Sequence, residues 1–349
     1  MSESSESAMM RSAVSDPPPP PGSAIGCADR IDQPMMLAMS KRLKAEFLLL
    51  VTAVIWGFAF VAQRIGMEHV GPFTYNGVRF LLGAASLLPL LLIARRSAAD
   101  RPAGGWRSIA GGGLLAGLLL FAGASLQQVG IVYTTAGKAG FITGLYVVLV
   151  PLLGLLWGQR TPWATWAGAV IAMLGLYLLT VTDNFTLAKG DGLVLVGALF
   201  WAGHVLVIGW LSGRHIEPVL LACLQFIVCG VLSLIVAIVI EPIALQALEA
   251  AMMPILYGGL LSVGVAYTLQ VVAQRDAPPA HAAIILSLET VFAVLGGWWL
   301  LQESLSDRGL LGCALMFAGM LLSQLAAVRA ASAKPAAPPA APLAVDNRG

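Results

Sequence analysis

The sequence predicts an all-α integral membrane protein whose ten transmembrane helices form two inverted five-helix repeats. Three observations carry this expectation. The chain is 58% hydrophobic and only 11% charged, with a mean hydropathy of +0.84, whereas soluble domains carry about 25% charged residues. Ten apolar runs each approach the roughly 20 residues that a helix needs to cross a bilayer. The second half of the chain also matches the first at spacings of 143 to 146 residues.

Residues 1–40 are rich in Ser, Pro and Met, with consecutive prolines from Pro17 to Pro21. Such a composition cannot bury a core and predicts a disordered tail. Met39 opens MSKRLKAEFLLL, a second plausible start, and no small-residue cleavage site follows. That run is therefore expected to be a retained membrane helix, not a signal peptide. The apolar segments then fall at approximately 46–65, 73–94, 108–129, 136–157 and 162–181, forming a first repeat over 41–182. They continue at 191–211, 217–240, 252–272, 279–301 and 308–328, forming a second repeat over 183–328. An Ala/Pro-rich tail over 329–349 is expected to be disordered. Unbroken apolar runs exclude a membrane barrel, whose strands would alternate with a period of two.

Orientation follows from Lys and Arg near the helix ends. With the N-terminus inside, one face collects Lys41, Arg42, Lys44, Arg95, Arg96, Arg101, Arg107, Arg160, Arg214, Arg275, Arg329 and Lys334. The other collects Arg64, Lys138, Lys189 and Arg308. Twelve against four places both termini in the cytoplasm.

The halves align collinearly. SLQQVGIVYTTAGKAGFI (125–142) lies over TLQVVAQRDAPPAHAAII (268–285) without a gap, and AVIWG (53–57) lies over ALFWA (198–202). GVRF (77–80) meets CLQF (223–226), and MLGLYLL (173–179) meets FAGMLLS (317–323). Five helices per repeat is an odd number, so the second repeat must enter the membrane from the opposite side. Inverted repeats of this kind mark secondary transporters, with the substrate site near the midplane between the halves.

AVIWGFAF, GVRFLLGA and LETVFAVLGGWWLLQESL, in that order and spacing, resemble the EamA family of the drug/metabolite transporter superfamily. The likeness covers about residues 44–328. It implies a ten-helix carrier of the bacterial inner membrane, exporting amino acids, other metabolites or drugs. The family usually has a proline after its ninth-helix glutamate; this chain has Thr290 there, which weakens the case for a helix break.

Candidate site residues are the polar and aromatic groups at depth. Glu289 lies about ten residues into its segment, some 15 Å deep, where an acid costs roughly 2.5–3.5 kcal/mol. Either it binds and releases a proton during transport, or it is a structural carboxylate. Arg79 is the arginine that lies well inside a helix; it can hold a substrate anion through bidentate donors, pair with Glu289, or snorkel outward. Gln127 and Gln270 match across the repeats, as do Trp56 with Trp201 and Tyr146 with Glu289. Both tryptophans fall mid-segment, too deep for the headgroup belt. His204 is a candidate proton site. Lys138 and His281 also match, and are expected to be interfacial anchors.

Enzyme signatures such as HExxH, GxSxG or a Walker motif are missing. Cys223, Cys229 and Cys313 sit in apolar segments, Cys27 lies in the tail, and no metal-ligand spacing appears. No catalytic residue, metal or cofactor is therefore expected, and no basic face points to nucleic acid. The expected partners are a small-molecule substrate, the lipid bilayer and protons. The fifth and tenth helices, poor in polar residues, should face lipid or a second copy. Two rivals stand beside proton-coupled export: a solute-for-solute exchanger, and a non-transporting membrane scaffold or regulator.

Overall fold

The computed structural model describes residues 25–97, 106–134, 136–180, 189–214, 216–300 and 306–332. The disorder expected of 1–24 and 333–349, and the anchoring role expected of the Lys138 side chain, lie outside the described residues. The chain divides into Met1–Lys41 and Arg42–Gly349. In the first unit the described part is helical from Ile25, where composition predicts disorder up to residue 40. Ala, Leu, Met and Lys, all strong helix formers, make up six of the seven residues from Met35 to Lys41.

The second unit is helical throughout its described length, apart from short connections. Its elements are the remainder of α1 (Ile25–Gly66), then α2 (Pro72–Ser97), α3 (Trp106–Tyr133), α4 (Ala136–Gly144), α5 (Tyr146–Leu156) and α6 (Trp163–Thr180). They continue with α7 (Lys189–Ser212), α8 (Pro218–Ile240), α9 (Leu245–Ala250), α10 (Met252–Leu256), a π-helix (Tyr257–Tyr267), α11 (Thr268–Ala273), α12 (Pro279–Leu286), α13 (Glu289–Leu300) and α14 (Asp307–Ser332).

Among the described residues, eight helical spans are long and apolar enough to cross a membrane, not ten. The two outside that set are those expected as fifth and tenth. Helix α6 is short, with an apolar stretch of only Trp163–Leu178. The two pack on each other, and Gly168 and Gly319 bring their backbones so close that a side chain on either would meet the other's carbonyl oxygen.

Two of the expected continuous spans are broken, and the breaks correspond. At Leu145 the bonding tightens to i→i−3, with Leu145 N to Ile142 O at 3.2 Å and Val148 N to Leu145 O at 3.0 Å. At Leu288, 143 residues on, the same tightening appears, with Leu288 N to Ile285 O at 3.1 Å and Thr290 N to Ser287 O at 3.2 Å. The missing proline therefore does not keep the ninth segment straight. Ser287 Oγ donates to Ile284 O at 2.8 Å, a local bond of the kind that competes with the helix ladder, and Thr290 Oγ1 donates across to Gly140 O of α4 at 3.0 Å.

Helix ends are fixed in two ways. Glu217 caps its own helix, accepting from Val219 N and Leu220 N at 3.0 and 2.5 Å, with Pro218 at the first helical position. Glu241, just past α8, caps a different helix: its carboxylate accepts from Phe73 N, Thr74 N and Thr74 Oγ1 at 2.7–2.8 Å. The start of α2 is thereby tied to the end of α8.

Candidate functional site

Helix α1 presents Trp56 and Gln63 to the interior, seven residues apart and so on one face. Trp56 Nε1 donates to Ser262 O of the π-helix at 3.2 Å, and its ring centroid lies 4.4 Å from that of Tyr267. Tyr267 also meets the rings of Phe80 at 5.9 Å, Trp201 at 6.0 Å and His204 at 6.3 Å. Aromatic pairs at these separations attract beyond their buried area, so Tyr267 is the hub of an aromatic wall built from four helices.

A polar network adjoins that wall through Trp201 and His204. Gln127 Oε1 accepts from Trp201 Nε1 at 2.8 Å and from Thr143 Oγ1 at 3.3 Å, while Gln127 Nε2 donates to Gln63 Oε1 at 3.4 Å. His204 Nε2 lies 2.8 Å from Gln225 Oε1, and its Nδ1 has no partner. Gln270, 1% exposed, leaves its Oε1 without a donor.

Arg79 is 2% exposed. Its Nε donates to Asn76 Oδ1 at 3.0 Å, and Asn76 is held in turn by Ala124 O at 3.1 Å. The guanidinium carbon lies 4.8 Å from the Phe80 ring and 5.3 Å from the Tyr75 ring. No described carboxylate lies within 4.0 Å of it, so the expected alternatives of pairing with Glu289 or snorkelling outward are not what this structure adopts. Glu289, 4% exposed, instead accepts from Tyr146 OH at 3.1 Å. Those two residues are repeat counterparts 143 apart, and each is the first residue of the half-helix that follows a break.

Glu289, Arg79, Trp56, Trp201, Tyr146, Gln127, Gln270 and His204 all line one narrow cavity of about 30 Å³. Four further polar residues line it that were not sequence candidates: Tyr267, Gln63, Thr143 and Ser262. Gln63 lies seven residues after Trp56 on the same face of α1, and that spacing was the available signal; the other three carried no comparable one. His281 does not act as an interfacial anchor. It is 5% exposed, with Nδ1 2.9 Å from Ser323 Oγ and Nε2 3.4 Å from Thr165 Oγ1. The α6–α14 pair covers it and supplies both hydroxyls, which is why it can be buried. Among the described residues no group of three His, Cys, Asp or Glu could hold a metal ion.

A family model described as the EamA-like transporter family matches residues 43–181 and 188–325. An uncharacterized transporter of Archaeoglobus fulgidus is 32% identical over 286 residues, covering 82% of this chain and 87% of that protein. The uncharacterized inner membrane transporter YedA of Escherichia coli K12 is 27% identical over 262 residues, covering 72% and 81%. A protein of known crystal structure shares the fold at a TM-score of 0.68 and 19% identity, covering 83% of this chain and 99% of that one.

Proposed function

The chain belongs to the EamA-like transporter family, and we propose that this multi-pass membrane transporter works by alternating access around the cavity between two inverted repeats of five helices. The observation that carries the reading is that repeat counterparts line the cavity together: Trp56 with Trp201, Gln127 with Gln270, Tyr146 with Glu289, Ala59 with His204 and Thr143 with Leu286. A pseudo-twofold axis through the cavity accounts for all five pairs, and for the coincident breaks at Leu145 and Leu288. Packing supports it as well. Helix α2 packs on its counterpart α8 and α6 on its counterpart α14, while the α3–α8 pairing has its mirror in α2 against the π-helix. Such an axis at midplane depth is where carriers built from inverted repeats hold their cargo.

The symmetry is broken in charge. Arg79 stands where the second repeat has Gln225, and Glu289 where the first has Tyr146. The site therefore offers one cation and one carboxylate, not joined to each other, beside an aromatic wall. This suits a small amino-acid-like or drug-like solute with an anionic group for Arg79, while Glu289 exchanges the proton that drives net export. Cytoplasmic termini follow from the twelve-to-four bias of basic residues.

The test is expression in a bacterium stripped of its own exporters, with mass spectrometry of the medium. Wild type should release a metabolite that Arg79→Gln and Glu289→Gln, at equal membrane abundance, do not. Equal release by all three would overturn the assignment of both residues, and an unchanged medium would overturn export.

A further inference from the structure

We propose that a crevice between α3, the end of α5 and α7 is a binding site for one anionic phospholipid. Leu206 and Val207, 3% and 7% exposed, form its floor; Leu115, Trp157 and Trp210 form its walls, and Gln159 closes one end. The floor and two of the walls belong to membrane-spanning segments, and Trp157 immediately follows another. What fills the crevice is therefore a lipid chain, not water.

Depth and charge choose the lipid. Trp157 and Trp210 are 60% and 44% exposed near the ends of their spans, the level at which indoles meet headgroups. Arg214, two residues beyond α7, lies with its guanidinium carbon 3.5 Å over the Trp210 ring. It is exposed, and no described carboxylate lies within 4.0 Å of it. Stacking leaves the planar fork of donors free at its edges, pre-oriented toward a phosphate. On the other side Gly158 takes a left-handed turn (φ 71°) and Gln159 N bonds back to Gly154 O at 2.9 Å. This turn lays the Gln159 carboxamide over Gly154 beside Leu206. A phosphodiester bridging guanidinium and carboxamide would place one acyl chain along Leu115 and the apolar floor. Arg160 follows at once and adds to the positive field.

The full chain would be reconstituted in vesicles of phosphatidylglycerol and phosphatidylcholine, extracted in mild detergent and weighed intact by native mass spectrometry. One phosphatidylglycerol should stay on each chain. Its retention should fall about fivefold in Arg214→Gln, the loss of one interfacial cation, and should fall also in Trp210→Ala. Arg64→Gln, at the other end of the helices, should hold it as wild type does. Equal retention of phosphatidylcholine, or undiminished retention by Arg214→Gln, would overturn the site. Wild type supplies an independent reading if a variant fails to fold. Its thermal unfolding should rise with added phosphatidylglycerol and not with phosphatidylcholine, and equal responses to the two lipids would also overturn the proposal.

Discussion

Arg79 and Glu289 are both nearly buried, yet they are held in opposite ways: one by a neutral amide and aromatic faces, the other by a phenol from its own repeat counterpart. Hydrogen bonds to charged groups contribute roughly 1.5–3 kcal/mol. Arg79→Gln should therefore raise the KM for an anionic solute about tenfold to a hundredfold, read as uptake into inverted vesicles. Glu289→Gln should separate two activities that share the cavity. Net transport driven by a pH gradient should vanish, while counterflow of labelled against unlabelled solute persists; loss of both would make Glu289 a binding or structural group. That both residues turn into the interior was legible from their depth alone, since a charge inside an apolar run normally faces the bundle interior or a water-filled cavity. Tyr267 was not legible. A tyrosine in a glycine-rich apolar segment looks like packing, and only the fold makes it the ring on which Trp56, Trp201 and Phe80 converge.

At the level of elements, what was missed is what tertiary contacts impose. The cap on α8 is written locally, with Glu217 directly before Pro218. The cap on α2 is supplied from 167 and 168 residues away by Glu241, and no local pattern announces it. Because that carboxylate satisfies two backbone donors that the helix leaves open, Glu241→Ala should cost about 1–2 kcal/mol, seen as a lowered Tm in detergent. Glu217→Ala should cost a similar amount. The breaks were equally hidden: Pro151 in the first repeat lies five residues beyond the start of α5, and the second repeat lacks the family's proline. At the second break, hydroxyl bonds from Ser287 and Thr290 to backbone carbonyls accompany the change. Helix α6 against α14 makes a further test of packing. A Cβ at Gly319 would meet the Gly168 carbonyl oxygen, which belongs to rigid backbone, whereas one at Gly111 meets nothing within 4 Å. Gly319→Leu should strip folded protein from the membrane fraction, while Gly111→Ala leaves its abundance unchanged.

For the whole molecule, inversion of the repeats turns on whether α6 crosses the bilayer. Its 18 residues rise about 27 Å, against a hydrocarbon core of about 30 Å. A shortfall of that size is met by modest local thinning, at fractions of a kcal/mol per Å. Crossing would also account for the close backbone packing of α6 and α14, because two helices poor in polar residues at matching places in the repeats would then meet across the proposed pseudo-twofold axis. If α6 crosses, the connections before and after it lie on opposite sides of the membrane. In a cysteine-free background, Lys189→Cys should react with an impermeant thiol reagent added to intact cells, and Thr161→Cys only after the cells are opened. The twelve basic residues expected inside set that direction. Reaction of both from outside, or of neither, would leave α6 on one face. The second repeat would then enter the membrane from the same side as the first, and the axis through Tyr146 and Glu289 would lose its basis.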